Sequence, residues 1–279
     1  QSIFTFNDSK QDSIHYGFDY NHFNVDIDEA QLQNFMILGD TTEFNVKTLI
    51  ANDRKTDLKI KQLSTFFRLS QTSMEFKGLK LYANESFISD TIVFHYEKQT
   101  DLNNFNTRVV MEANLNNTII EPSDLALFAP AVRKVTQPIH VSGKVNGKIS
   151  RFKVTQMDIG LGNTSLKGSI DLDGLPQTDE TFIILNLLDS RVDFNDLSFL
   201  INENALNRLT PMGMHTLRGQ FVGYPTDFVA NGTFSSKVGK INSDINFKLN
   251  EEDFDQSTYS GKLQLVEFDL GTYFNDTTT

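Results

Sequence analysis

The sequence predicts an all-β protein, a predominantly antiparallel sheet accompanied by two short helices. Three observations lead to this prediction. Apolar and polar residues alternate with a period close to two over most of the 279 residues. Clusters of Gly, Asn and Asp separate the alternating segments, as turns require. Segments with helical periodicity are few and short, so no long amphipathic helix is available to cover a sheet.

The alternating segments place apolar residues on one side of each predicted strand, from a strand at residues 14–20 to one at 263–265. Polar residues such as Lys144, Lys167 and Gln220 occupy the other side. This one-sided pattern is typical of strands with one buried face. The apolar stripe is defined by Tyr16, Phe18, Ile92, Phe94, Val109, Met111, Val141, Val145, Ile149, Leu166, Ile170, Leu217, Phe221, Phe228, Ile245, Phe247, Leu263 and Leu265.

Two segments carry helix signals. Pro122-Ser-Asp124 resembles an N-cap, and we expect a short helix over the apolar residues 125–129 that follow it. A second short helix is predicted from Asp196 to Leu206. Both segments contain Asp-Leu, which indicates a recurrent element.

The chain also contains an internal repeat. Val141-Ser-Gly-Lys-Val-Asn-Gly147 aligns without a gap with Leu217-Arg-Gly-Gln-Phe-Val-Gly223, and one of the two Asp-Leu pairs precedes each copy at a similar distance. This arrangement predicts a β segment at 1–123, a first helix-plus-hairpin repeat at 124–195 and a second at 196–279, all in one continuous β body. Because stacked repeats build long objects, we expect an elongated protein.

Charge and composition exclude several classes of protein. The net charge is −11, and the 25 Lys and Arg residues are scattered, which argues against nucleic-acid binding. The absence of Cys excludes disulfides, thiolate zinc sites and Cys nucleophiles. No apolar run is long enough for a membrane-spanning helix. Because the chain begins without Met or a recognisable leader, we expect an interior piece of a longer protein.

No catalytic or cofactor-binding pattern stands out in the sequence. The five His residues have no metal-ligand spacing, and no nucleophile elbow, Walker or dinucleotide motif is present. Asp171-Leu-Asp173-Gly174 resembles the start of a calcium loop but lacks its later acidic ligands. We therefore expect neither enzymatic activity nor a cofactor or metal.

Two structures would explain the apolar stripe. It could form the sealed core of a β-sandwich or barrel, which composition alone favours because apolar faces are normally buried against protein. Alternatively, it could line an open, curved sheet that accepts acyl chains.

The order of several motifs resembles the TamB proteins of the Bacteroidota, within the AsmA-like group. The motifs are Leu125-Ala-Leu-Phe-Ala-Pro130, then Ile139-His-Val-Ser-Gly-Lys-Val-Asn-Gly-Lys-Ile149, then Leu161-Gly-Asn-Thr-Ser-Leu-Lys-Gly-Ser-Ile-Asp-Leu-Asp-Gly-Leu-Pro176, with further likeness at Tyr16–His22, Leu79–Tyr96 and Glu267–Gly271. The resemblance spans nearly the whole chain.

This resemblance implies a taco-like β-groove in the periplasm, within a protein anchored in the inner membrane. It implies transport of phospholipid between membranes, with the apolar stripe lining the groove and an Omp85-type outer-membrane barrel as a partner of segments outside this chain. It changes the preference from a sealed core to an open groove. The alternative functions are a scaffold that guides outer-membrane strands by β-augmentation and, less favoured because the chain has no Trp, a carbohydrate-binding module.

Overall fold

The structure is a computed structural model that describes residues 2–10, 12–13, 19, 22–127, 130–199, 201, 203–250 and 256–274. It is mostly antiparallel β-sheet with a few short helices, which confirms the predicted all-β class. The chain divides into two compact units, Gln1–Asn146 and Gly147–Thr279. The boundary falls near the end of one strand, whereas the boundaries predicted from the repeat are at 124 and 196.

The first unit contains seven strands and most of an eighth. They are β1 (Ser2–Asn7), β2 (His22–Leu38), β3 (Thr41–Asp53), β4 (Lys59–Leu69), β5 (Ser73–Ala83), β6 (Ser86–His95), β7 (Val110–Ile120) and β8 (Ile139–Lys148). From β1 to β7, each strand pairs antiparallel with its neighbours in the chain. Two short helices connect these strands, α1 (Phe105–Arg108) and α2 (Pro122–Leu125).

The second unit contains seven further strands in the same arrangement. They are β9 (Arg151–Leu161), β10 (Thr164–Asp173), β11 (Phe182–Val192), β12 (His215–Tyr224), β13 (Asp227–Ser236), β14 (Gly239–Lys248) and β15 (Thr258–Val266). Its helices are α3 (Glu203–Leu209) and α4 (Leu270–Phe274). From β9 to β15, each strand pairs antiparallel with the next strand along the chain, and in the described part of the chain β15 pairs with β14 alone. In the described residues, β15 is therefore the last strand of the sheet.

The two copies of the sequence repeat form equivalent strands. The first motif lies in β8 and the second in β12, each a strand of ten residues followed by a two-residue turn and a further strand. The correspondence continues beyond the motif, because β9, β10 and β11 follow β8 with nearly the same spacing as β13, β14 and β15 follow β12. A repeat in this structure is thus four strands, and β4 to β7 form an earlier copy with the same strand count.

Each Asp-Leu pair anchors the connection after the fourth strand of a repeat. The Asp124 carboxylate accepts hydrogen bonds from Ser86 Oγ at 2.7 Å and Asn84 Nδ2 at 2.8 Å, in the turn between β5 and β6. The Asp196 carboxylate accepts bonds from the backbone N–H groups of Asn163 (2.8 Å) and Thr164 (2.9 Å), in the turn between β9 and β10. The recurrent element predicted from the sequence is therefore an anchor on a hairpin turn.

The helices differ from those predicted. Helix α2 begins at Pro122 rather than after Asp124, because Pro fits the first helical position and Glu121 takes the N-cap. The second predicted helix does not start at Asp196, whose carboxylate bonds the β9–β10 turn; residues 194–199 form turns, and α3 begins at Glu203. The described chain has four short α-helices and several short 3-10 helices, which agrees with an all-β fold that contains a few short helices.

The strand predicted at residues 14–20 lies almost entirely outside the described residues. Among the residues that the structure describes, no helix has the length and apolar character needed to cross a membrane.

Candidate apolar groove

The second unit presents one apolar face, built from rows of residues that lie opposite each other on successive strands. The residues of three adjacent rows alternate along each strand with residues of the other face. The first row is Leu172, Ile183, Gly223, Phe228, Phe247 and Tyr259; the second is Ile170, Leu185, Phe221, Ala230, Ile245 and Gly261; the third is Gly168, Leu187, Gly219, Gly232, Ser243 and Leu263. No Asp, Glu, Lys, Arg or His stands in these rows.

A groove of about 300 Å³ opens on this face, at the lower end of the volumes typical of small-molecule sites. Its apolar side chains come from β11, β12 and β13: Leu185, Leu187, Leu217, Phe221, Ala230 and Phe234. Arg218 also borders the groove, but its guanidinium is bonded to Asp189 at 2.6 Å and is 64 % exposed. The groove therefore offers contact to apolar groups without placing a charge inside it.

A pair of glycines leaves the middle of the groove without side chains. Gly219 of β12 lies directly opposite Gly232 of β13. A Cβ atom on Gly219 would lie 2.2 Å from the carbonyl oxygen of Asn231, and one on Gly232 would lie 2.3 Å from that of Arg218. Larger residues would force the two strands apart, so both glycines are required by the close approach of β12 and β13.

The apolar face is half-buried rather than sealed. The residues of the apolar stripe on β10, β12, β13 and β14 are all of intermediate exposure, and none is among the fully buried side chains. Phe221, Phe228 and Phe247 stack across three strands, with ring centroids 4.6 and 5.5 Å apart. A sealed sandwich core would bury these rings completely, so this part of the stripe has the accessibility of an open surface.

The opposite face of the same strands contains polar rows, although Ile184, Val222 and Val229 also lie on it. One row across it is Ser169, Asn186, Gln220, Asn231, Asp244 and Lys262. Side chains in this row are linked across strands, with Gln220 Nε2 donating to Asn186 Oδ1 at 3.0 Å. The sheet of the second unit is therefore amphipathic, as the sequence pattern predicts.

One end of the groove-lining face is closed by the connection between β11 and β12. His215 precedes Leu217 on the same side of β12, is fully buried and packs against the rings of Phe194 and Phe234, whose centroids are 4.7 and 4.6 Å away and which also contact each other. Neither ring nitrogen of His215 has a hydrogen bond of normal geometry. Burial lowers the pKa of His215, and the nearby Val192 backbone and Asp193 carboxylate offset only part of this effect.

The first unit carries its own apolar face, marked by a row of aromatic rings. Neighbouring centroids in this row are 5.0 to 6.3 Å apart, within the range of favourable aromatic pairs. The rings are those of Phe35, Phe44, Phe67, Phe76, Phe94 and Phe105. The row ends at Phe35 on β2, which is 60 % exposed.

Most residues of the apolar stripe lie on strands, and within each unit the structure brings many of them together. In the second unit the set that shares one face is Leu166, Ile170, Leu217, Phe221, Phe228, Ile245, Phe247, Leu263 and Leu265. In the first unit, Ile92 and Phe94 on β6 lie beside Met111 on β7, while Val141 and Val145 are half-buried on β8.

Two residues of the stripe have other positions, and two are not described. Val109 precedes β7 and is only 1 % exposed, so it belongs to the buried core and cannot be reached from an open face. Ile149 lies in the two-residue turn between β8 and β9 rather than on a strand. Tyr16 and Phe18 lie outside the described residues.

Several groove residues are not part of the predicted stripe. Leu185 and Leu187 belong to a continuous apolar run, Phe182 to Leu188, that has no period of two and so does not reveal which side chains share a face. Ala230 and Phe234 could have been found, because they continue the alternation that begins at Phe228. The aromatic row of the first unit needs the strand registers, which no local pattern supplies.

Comparison of the chain with protein-family models, curated proteins and solved structures gave no match. Among the described residues, no group of three or more His, Asp or Glu side chains is arranged to hold a metal ion.

Proposed function

We propose that this chain is a non-enzymatic segment of a periplasmic lipid-transport protein of the TamB type, and that its apolar face carries phospholipid acyl chains. One observation supports this most directly: the half-exposed, uncharged groove on β11 to β13, which is bordered by residues with no catalytic arrangement. The family assignment itself depends on the order of the sequence motifs.

The chemistry of the groove suits a ligand that slides. Moving one methylene group from water to an apolar surface gains about 0.8 kcal/mol, so a few methylenes in contact with Leu185, Leu217 and Phe221 are held appreciably. A polar group that bonded a headgroup firmly would hold the lipid in one position. The three rows of the apolar face contain one hydroxyl-bearing aliphatic residue, Ser243, whose Oγ donates to the Ala230 carbonyl at 3.1 Å.

The test is capture of lipid by photo-crosslinkers on the two faces of the sheet. Crosslinkers at Ile170 and Phe221 on the apolar face should label co-purifying phospholipid, which mass spectrometry identifies. Matched crosslinkers on the polar face should not label phospholipid. They stand at Lys167, on the same strand as Ile170, and at Gln220, next to Phe221. Equal labelling of both faces, or a protein that carries no lipid, would contradict the proposal.

A second function is favoured by the edge of β2. Strand β1 pairs with residues 22–27 of β2, and further along β2 the apolar side chains of Leu32 and of Phe35 to Leu38 are exposed. A scaffold that guides outer-membrane strands would need exposed apolar side chains on a strand of this kind. Crosslinkers at Leu32 that capture unfolded outer-membrane protein, with no lipid captured at Phe221, would favour this second function over lipid transport.

A further inference from the structure

We propose that the apolar face of the second unit holds one unbranched acyl chain at a time, in a furrow that crosses β12, β13 and β14. The floor of the furrow is Gly219, Gly232 and Ser243, which lie opposite each other on these three strands. The inference rests on the proposed function, and it adds where on the face a chain lies and which shape of chain is accepted.

The furrow has two walls, because apolar side chains stand two positions before and two positions after the floor residue on each strand. One wall is Phe221, Ala230 and Ile245, and the other is Leu217, Phe234 and Ile241. The groove of about 300 Å³ is bordered by all three floor residues and by members of both walls. The furrow is therefore the deepest part of the groove.

The furrow is narrow and runs across the strands. Its walls are four residues apart on each strand, about 13 Å between Cα atoms, and their side chains leave width for a single chain between them. The floor extends about 10 Å from β12 to β14. Leu187 on β11 and Leu263 on β15 continue the same row and carry large side chains at its two ends. An acyl chain in the furrow thus lies across the strands, the direction in which transport along the sheet would move it.

The floor suits an occupant without polar groups. β12, β13 and β14 each pair with a neighbour on both sides, so their backbone groups are engaged in the sheet. The Ser243 hydroxyl donates to the Ala230 carbonyl at 3.1 Å. A peptide in the furrow would lose water from its N–H and C=O groups without gaining partners, which is costly. An aliphatic chain has no such groups to desolvate and gains contact with both walls.

The test fills the furrow after the protein has folded. Because the chain has no Cys, Ser243→Cys introduces a single thiol in the floor. The folded variant is modified with methyl or benzyl methanethiosulfonate, and its binding of palmitic acid is measured by calorimetry. We expect the benzyl adduct to bind about tenfold more weakly than the methyl adduct, because it displaces about two methylene groups from the floor. In the matched control Asn242→Cys, on the opposite face, the two adducts should bind equally.

The shape of the chain is tested on the unmodified protein with phytanic acid. Its main chain has the same length as that of palmitic acid but carries methyl branches. Although the branches make it more apolar, phytanic acid should bind about tenfold more weakly, because they hold the chain off the floor.

The outcomes separate this inference from the function on which it rests. If the unmodified protein binds no palmitic acid and crosslinkers at Phe221 capture no phospholipid, both are overturned. If phospholipid is captured at Phe221, three results overturn the furrow alone: no binding of palmitic acid, binding that the benzyl adduct leaves unchanged, and equal binding of phytanic acid. A thiol at position 243 that the reagents cannot reach would show that the floor is covered, which also overturns the furrow.

Discussion

His215 is the residue whose environment departs furthest from its ordinary chemistry. It is fully buried against two phenyl rings, with no hydrogen bond of normal geometry to either nitrogen, and this burial lowers its pKa by favouring the neutral ring. Asp193 lies on the connection that follows β11. Its carboxylate favours the protonated ring and so partly offsets the lowering of the His215 pKa by burial. Burial raises the pKa of Asp193, but hydrogen bonds from Asn195 and Asn163 and the nearby His215 lower it below its ordinary value overall.

This geometry predicts that the protein loses stability as the pH falls below about 6.5, the ordinary pKa of His. Since the folded-state pKa is lowered, the unfolded chain binds more protons between that lowered value and about 6.5. Stability is therefore complete above this window and falls within it, by at most about 1.4 kcal/mol per pH unit. Urea unfolding of the second unit at several pH values measures the slope.

The control is a comparison of two His variants. His215→Phe should remove the pH dependence that develops below about pH 6.5, while His140→Gln, at an exposed position on β8, should keep it. Carboxylates such as Asp193 and Glu75 have lowered pKa values and lose their contribution only at lower pH. A slope that is unchanged in His215→Phe would show that His215 is not its source.

At the scale of elements, the Asp-Leu anchors explain how four-strand repeats are joined. A third anchor occurs at Asp269-Leu270, about as far beyond Asp196 as Asp196 is beyond Asp124. There the backbone N–H of Asp269 donates to the carbonyl of Val238 at 2.7 Å, in the turn between β13 and β14. The hydrogen bonds from Thr272 lower the pKa of the Asp269 carboxyl. Each anchor thus attaches the segment that follows the fourth strand of a repeat to the turn between the second and third strands of the same repeat.

Replacing Asp196 with Ala should therefore be costly. The change leaves the backbone N–H of buried Thr164, and that of Asn163, without their acceptor. We expect a loss of about 1–3 kcal/mol in the free energy of unfolding, measured with urea, because unpaired buried donors keep their full desolvation cost.

A matched carboxylate on the same unit provides the comparison. Asp158 is 52 % exposed and forms only a loose ion pair with Lys167 at 3.5 Å. Asp158→Ala should change the stability by less than about 0.5 kcal/mol. Similar losses in both variants would mean that the contact of Asp196 with the β9–β10 turn contributes little.

At the scale of the whole molecule, the sequence predicts what depends on local pattern and misses what depends on register. The period of two identifies Phe228, Ile245 and Phe247 as residues of one face, and the repeat identifies β8 and β12 as equivalent strands. Neither reveals that Gly219 lies opposite Gly232 and thereby opens the groove, because strand pairing is a long-range property. The pattern misplaces Ile149 for a related reason: the alternation continues through the turn, although the strand ends at Lys148.

The difference between a sealed core and an open face can be tested by one buried charge. Phe221→Asp places a carboxylate opposite Leu185 and Ala230, in the middle of the apolar face. If that face is open, the carboxylate reaches water, and the protein keeps its β spectrum while losing a few kcal/mol of burial energy and the lipid that we propose it binds. If a sealed core covered Phe221, an unpaired buried charge would cost several kcal/mol and the variant would unfold or aggregate.

Two further variants make this result interpretable. Gln220→Asp carries the same charge on the polar face and should keep both the fold and the lipid. Phe221→Ser removes the ring without adding a charge, so it separates the loss of packing from the effect of the carboxylate. If the face is open, lipid occupancy should be highest in Gln220→Asp, lower in Phe221→Ser and lowest in Phe221→Asp. All three proteins should remain folded. If folded Phe221→Asp still carries lipid, the acyl chains do not lie against Phe221, because a buried charge at that position would exclude them.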